Sequence, residues 1–212
     1  MNKEYHKIET LFERDMEGTK KLIEGKFRNP LVEYIKDCEW IFTEKVDGTN
    51  IRIHWDGHNV YFAGRTDNAQ LPSPLVQELN KLFLGMQNEE LFEQKFGERN
   101  VIFYGEGYGG KIQLGSAYSK EQKFILFDVM VGGIFLEREN VEEIAKSFNL
   151  EIVPVLIKGT VQEAVDYVKT KPNSTISIEE KESEGLVGTP LIRMNDAIGN
   201  RVIIKVKVCD FE

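Results

Sequence analysis

Only two cysteines, Cys38 and Cys209, stand in the 212-residue chain, far apart in sequence. They make neither a disulfide framework nor a metal-binding spacing, which points to a reduced, cytoplasmic protein (the host cytoplasm for a viral one). Basic residues are short as well: 27 Lys and Arg against 35 Asp and Glu, a formal net charge of −8. So acidic a chain does not bind nucleic acid tightly over its whole surface, although a local basic groove stays open. Long apolar runs are missing. The most apolar stretch, Phe124 to Leu136, is broken by Asp128 and by Gly132-Gly133, which excludes a membrane span there. The first ten residues, MNKEYHKIET, are too polar for a signal peptide. Internal repeats, low-complexity segments and the P-loop or dinucleotide glycine patterns are all absent. What is there, 41% hydrophobic and 29% charged residues, suits one sizeable soluble domain or two small ones.

The chain is organised around Glu44-Lys45-Val46-Asp47-Gly48-Thr49-Asn50. Trp40-Ile41-Phe42-Thr43 before it reads as a buried strand, and Ile51-Arg52-Ile53-His54-Trp55 after it as a half-buried one. Asp-Gly marks a turn, so Lys45 ends a strand beside a tight corner. A lysine pinned there becomes a nucleophile if neighbouring cations suppress its charge; by itself Lys45-Val46-Asp47-Gly48 reads more simply as a surface hairpin with a solvated lysine.

Before this centre, residues 1 to 38 carry Leu11, Phe12 and Leu22, Ile23 at helical spacing and read as a small helical lead-in broken by Pro30. After it, Asp56 to Asn59 reads as a hairpin turn and Val60 to Ala63 as the return strand. Arg65 follows at a strand end beside a glycine. That suits a phosphate or ribose contact, but alone it reads more simply as a surface ion pair. Leu75, Leu79, Leu82 and Phe83, then Leu91, Phe92 and Phe96, predict one or two amphipathic helices over 72–96. Val101 to Tyr104 is a short strand running into Gly105-Glu106-Gly107, where glycines let the backbone approach a ligand hydroxyl held by the carboxylate. Phe127, in the strand Phe124 to Val129, is either core or a platform for a base. Helices are expected over 139–148 and 161–169, with a strand over 152–157. In the last strand, 201–208, Lys205 and Lys207 share one face. Two like charges there repel unless an anion lies between them, or they are the solvated lysines of an edge strand.

Read together, Lys45-Val46-Asp47-Gly48-Thr49-Asn50, Arg65, Tyr104-Gly105-Glu106, Phe127-Asp128, Glu184-Gly185-Leu186-Val187 and Lys205-Val206-Lys207 form an ordered set. The set closely resembles the motifs of the covalent nucleotidyltransferase superfamily, which includes ATP-dependent ligases and capping enzymes. It is most similar to the RNA ligase 2 family of phage and kinetoplastid ligases. The Lys-x-x-Gly-Thr-Asn form of the first motif carries that, with the arginine twenty positions on and the Gly-x-Lys-Ile-Gln and Tyr118 that follow Glu106.

The resemblance implies an α+β fold: two antiparallel sheets with flanking helices, an ATP-grasp-like ligase core with the nucleotide between the sheets. It implies that Lys45 attacks the α-phosphate of ATP, expels pyrophosphate and carries AMP as a phosphoramidate. Glu44 would meet adenine through its backbone, and Arg65 and Glu106 the ribose and phosphate side. Phe127 would stack on adenine. Glu184 would lie near the divalent metal (Mg²⁺ or Mn²⁺) and Lys45, and Lys205 and Lys207 would neutralise phosphates. Asn50 would hold metal-bound water or the RNA end. The implied partners are RNA ends, a 5′-phosphate and a 3′-OH, in single strands or a nicked duplex; no membrane is implied. Family members usually continue into a second, RNA-engaging domain, whereas five residues follow Lys207. The expectation is one adenylyltransferase domain over 1–212, with any RNA-binding domain supplied by a separate protein. A DNA ligase core, a capping-type guanylyltransferase and a non-catalytic nucleotide- or RNA-binding module are the alternatives.

Overall fold

Apolar residues at every second position make most of the strands, and turns with side-chain locks separate them. The computed structural model describes residues 4–211. In chain order it has β1 (Glu9–Thr10), β2 (Phe12–Arg14), β3 (Leu22–Phe27), α1 (Pro30–Tyr34), β4 (Trp40–Glu44), β5 (Thr49–Trp55) and β6 (Val60–Ala63). Then come α2 (Ser73–Phe83), α3 (Met86–Phe96), β7 (Val101–Tyr108), β8 (Lys123–Val131), β9 (Ile134–Phe135) and α4 (Arg138–Ser147). β10 (Val155–Gly159), α5 (Val161–Lys169), β11 (Gly185–Pro190) and β12 (Ile204–Lys207) complete the set. The chain is α+β and divides into two compact units.

The first, the Lys45 unit, holds His6–Val46, Pro154–Ile176 and the chain from Glu180 on. Its five-stranded sheet has the order β1-β12-β11-β4-β10, antiparallel except for the β1–β12 pair, and β2 and β3 form a separate hairpin. Trp40 and Phe42 of β4, Leu186 of β11 and Ile204 and Val206 of β12 point to one face. There they pack with Val161, Ala164, Val165 and Val168 of α5. At about 25 cal/mol per Å² of apolar surface, this burial is what holds the sheet to the helix. Thr160 and Glu163 close a capping box at the start of α5, which satisfies two otherwise orphaned backbone donors.

The second, the Arg65 unit, holds Asp47–Val153 with Tyr5 and Ser177–Glu179. Its sheet, β6-β5-β7-β8-β9, is antiparallel throughout. One face buries Ile51, Ile53, Trp55, Phe103 and Phe124 against Leu75, Leu79, Phe83, Phe92 and Phe96 of α2 and α3 and against α4. The opposite face carries the buried polar residues Arg52, His54 and Asp128. Tyr104 pairs with Asp128, but Gly105 pairs with Leu126, so Phe127 is an extra residue at a β-bulge. Core-facing positions accordingly change phase from Phe124 and Leu126 to Val129, the re-aiming that a bulge produces.

Residues 1–38 differ from the helical reading; of them, residues 1–3 lie outside the described residues. Phe12, Leu22 and Ile23 are in strands. Asp15 accepts hydrogen bonds from the N–H groups of Gly18 and Thr19, a local turn that competes with helix. Pro30 starts a helix rather than breaking one: it occupies the first turn, behind an Asn29 cap on the Leu31 N–H, where its missing N–H costs nothing. The strand expected over 152–157 lies at 155–159, and the last strand begins at Ile204 because Arg201 bridges Asn195 instead. The other expected elements are present, with shifted ends.

Candidate active site

In the Lys45 unit the register brings the lysines together. Gly185 pairs with Lys207, and Leu186 with Glu44, so Lys45 and Lys207 flank Gly185 in one row across three strands. The Lys45 N–H continues the ladder, donating to the Gly185 carbonyl at 2.9 Å. Val187, Thr43 and Lys205 form the next row on the same face, two residues along. Neighbouring strands are about 4.8 Å apart, so the Lys45 and Lys207 backbones are about 10 Å apart, with a residue lacking a side chain between them. Gly185 is fixed by its geometry: its φ is +137°, and a Cβ there would lie 2.1 Å from the Val206 carbonyl oxygen.

Glu184 reaches the gap that Gly185 leaves. Its Oε2 lies 2.6 Å from Lys45 Nζ and its Oε1 2.9 Å from Lys207 Nζ. Burial works against the Glu184 charge, but Lys45 and then Lys207 outweigh it and hold the carboxyl below its ordinary value. Burial also opposes the charge on Lys207, yet its bond to Glu184 holds its pKa above the usual lysine value. Lys205 goes the other way: burial, then the charges of Lys45 and Lys207, push it down. The carboxylate of Glu184 thus lies between Lys45 and Lys207, not between the two like charges of β12. The charge nearest Lys45 is this carboxylate. An amine attacks only after losing its proton, so the ion pair must open first.

Glu44 lies next to Lys45 but points to the other face of β4. Its side chain is 2% exposed. Its carboxylate accepts from Ser174 Oγ, from the Thr175 N–H at 3.0 Å and from Thr175 Oγ1 at 2.5 Å. It ties the 174–175 loop to the end of β4, next to Lys45, a contact the sequence reading missed. Its backbone N–H donates to the Pro154 carbonyl.

The remaining expected residues are in the Arg65 unit. Asn50 and Glu106 are direct partners across β5 and β7. Gly48 presses on them: a Cβ there would lie 2.3 Å from Gly107 O and 2.9 Å from Glu106 Cγ. Only glycine permits that approach. Asn50 Oδ1 is buried with no hydrogen-bond partner among the described residues, an acceptor of the kind that a ligand or water completes. The Asp47 N–H donates to Tyr118 Oη at 3.3 Å, so buried Tyr118 helps set the turn after Lys45. Arg65 is exposed on the loop after β6. Phe127 is half-buried, edge-on to Tyr5 with ring centroids 5.1 Å apart.

Among the described residues no group of three or more His, Cys, Asp or Glu side chains could hold a metal by itself. That donor set still fits Mg²⁺ or Mn²⁺ in one mode, a single carboxylate completed by waters and substrate phosphates. Glu184 is the carboxylate placed for it. No helix among the described residues is long and apolar enough to cross a membrane.

A family model described as RNA ligase matches residues 38–207. The chain belongs to the RNA ligase family. The matched segment runs from just before β4 to the last residue of β12, and so includes every site residue named above. No curated protein matches the chain in sequence. Solved structures of a Naegleria gruberi RNA ligase are similar in fold. A mutant of it with ATP and Mn gives a TM-score of 0.65 at 19% identity, covering 94% of this chain and 55% of that one. The same ligase with PPi gives 0.63 at 20% identity, covering 84% and 52%, and another mutant with AMP and Mn gives 0.62 at 19% identity, covering 84% and 52%. The chain thus spans about half the length of these RNA ligase structures.

Proposed function

We propose that this RNA ligase family chain is an ATP-dependent RNA ligase acting through a lysyl-AMP on Lys45. The observation that carries the proposal is the carboxylate of Glu184 shared by Lys45 and Lys207, with Lys205 one row away. In the first step Lys45 Nζ, deprotonated, attacks the α-phosphorus of ATP; a P–N bond forms, the bond to the β-phosphate oxygen breaks and pyrophosphate leaves. In the second, the 5′-phosphate of an RNA end takes the AMP and frees the lysine. In the third, a 3′-OH attacks that activated phosphate and AMP leaves.

Phosphoryl transfer of this kind needs in-line positioning and charge neutralisation more than covalent help. Lys205 and Lys207 supply cations for the phosphates; a divalent metal, Mg²⁺ or Mn²⁺, held near Glu184 would supply the rest. Phosphates arriving beside Lys207 compete with Glu184 for it and so help to open the Lys45 ion pair. Asn50 Oδ1 serves metal-bound water or the RNA end, Arg65 and Glu106 the ribose and phosphate side, the Glu44 backbone the adenine edge, and Phe127 the adenine face. The N. gruberi structures with ATP, with PPi and with AMP support the choice of nucleotide. On this reading residues 1–212 act as one cytoplasmic adenylyltransferase domain, the substrates are RNA ends, including nicked duplexes, and a separate protein supplies further RNA contacts.

The test is incubation with labelled ATP or GTP and a divalent metal, followed by peptide mapping. One acid-labile AMP on Lys45 is expected. A label on another lysine, or from GTP in preference to ATP, would sink the reading. Ligation of nicked RNA, nicked DNA and single-stranded RNA, with pre-adenylated ends as a second arm, then fixes the substrate. Joining is expected to weaken steeply with salt.

A further inference from the structure

Arg52 has no place in the mechanism above, yet its side chain is fully buried. The alternation of β5 puts Ile51 and Ile53 into the core and Arg52 on the opposite face. A buried guanidinium is costly unless its donors are satisfied. Its Nε donates to the Gly64 carbonyl at 2.7 Å, and its Nη2 lies 2.6 Å from Asp67 Oδ1. These are the residue immediately before Arg65 and the residue two after it. The segment between them is neither helix nor strand. The Ala69 N–H donates to the Thr66 carbonyl at 3.2 Å, closing a turn just after Arg65.

We infer that Arg52 is a positioning residue that holds the Arg65 loop by gripping it on both sides. The inference rests on the reading that Arg65 meets the nucleotide, and it says how an exposed arginine is aimed. The planar fork of Arg52 is suited to this, since its donors leave in fixed directions; a lysine ammonium reproduces one bond at most. His54 lies on the same face, stacked on Tyr61 with ring centroids 4.8 Å apart. Burial, with the Arg52 charge beside it, pushes its imidazole down to about 4. His54 is therefore neutral at pH 7 and does not compete with Arg52 for Asp67 as a cation.

Asp67 is the accessible half of the pair, 55% exposed, so Asp67→Ala tests the staple without cutting into the core. Lysyl-AMP formation is measured over a range of ATP concentrations for the wild type, Arg65→Ala, Asp67→Ala, the double mutant and Asp67→Asn. The rate of trypsin cleavage after Arg65 is measured for the wild type, Asp67→Ala and Arg52→Lys. Expected is a rise in KM for ATP on the order of tenfold in Asp67→Ala, as for a misplaced contact. The double mutant should be no worse than Arg65→Ala alone, because both changes remove one function. Asp67→Asn, which keeps an oxygen acceptor, should recover most of the loss, and cleavage after Arg65 should speed up about tenfold while the melting temperature hardly moves. Additive losses in the double mutant, or wild-type cleavage in both staple variants, would overturn the inference. Should Arg65→Ala label at the wild-type rate, the nucleotide role of Arg65 fails and the catalytic meaning of the staple with it; the trypsin rate still decides whether the staple exists.

Discussion

Lys45, just after β4, and Lys207 of β12 stand half-buried around one carboxylate, and on β5 an arginine is fully buried with a carbonyl and a carboxylate on its fork. The two regions bury positive charge in different ways. At Glu184 three side chains, each roughly a fifth to a quarter exposed, share two short contacts that an incoming anion can exchange. At Arg52 the cation is closed off and its partners belong to the loop it holds. Exposure decides which arrangement can take part in chemistry, since a water-accessible pair can swap partners at little cost. The Arg52 pair is closed on the guanidinium side only, its carboxylate staying 55% exposed, so the arginine cannot turn to another partner. The first is suited to binding, the second to holding something still.

The comparison breaks most completely at Lys45. Lys45→Ala should abolish AMP labelling in intact-mass spectra while the fold survives, because its side chain is not part of the core. Next is Glu184→Gln. It leaves Lys45 and Lys207 without their shared anion and should slow lysyl-AMP formation by on the order of 10²–10³-fold, the scale of a lost electrostatic group. The same variant should flatten the acid limb of stability. A carboxyl held below its ordinary value contributes stability above its unfolded pKa, which is lost as pH falls through the folded one. Denaturant titrations from pH 7 down to 3 check this; a wild-type slope in Glu184→Gln would remove the ion pair from the account.

A smaller effect is expected at Phe127. Phe127→Ala should weaken ATP binding by about 1–3 kcal/mol, the worth of a base–aromatic stack. It should not cost the roughly 3–5 kcal/mol of stability that a core phenylalanine does. Calorimetric titration beside thermal unfolding separates the two. The smallest effects distinguish the lysines of β12. Lys205, pushed down, carries a penalty that is full below its folded pKa and relieved as pH rises from there through its unfolded value. Lys207, pushed up, contributes stability that is full below its unfolded pKa and lost as pH rises through the folded one. At pH 7 without ligand, Lys205→Met should therefore raise the melting temperature and Lys207→Met lower it. Shifts of the same sign would show that the two do not differ in this way.

Much of this was legible in the sequence because period two and turn chemistry act locally. The corner after Lys45, the shared face of Lys205 and Lys207, the 56–59 hairpin and α5 all follow from residues a few positions apart. What was not legible depends on partners far along the chain. Arg52 looked like the outward position of a half-buried strand, since alternation gives a direction but not what covers it. The bulge at Phe127 is set by pairing with Tyr104 and Gly105, and no local signal marks it. The hairpin of β2 and β3 was misread because pairs such as Leu22 and Ile23 satisfy a helical period as easily as a short strand, and Asp15 decides the matter through a side-chain turn. Glu44 looked like a backbone contact, and its latch on Ser174 and Thr175 lies some 130 residues away.

The gap left at Gly185 has a consequence for turnover. Because no side chain fills it, Glu184 reaches both lysines on a tether of only three rotatable bonds, and its effective concentration there far exceeds that of any free anion. Every phosphate that enters must displace this resident competitor, and every phosphate that leaves is replaced by it at once. On the proposed function, nucleotide and pyrophosphate would therefore be held less tightly than three bare lysines would hold them. An enzyme that must release pyrophosphate, then AMP, and bind ATP again is served by a site that supplies its own eluent.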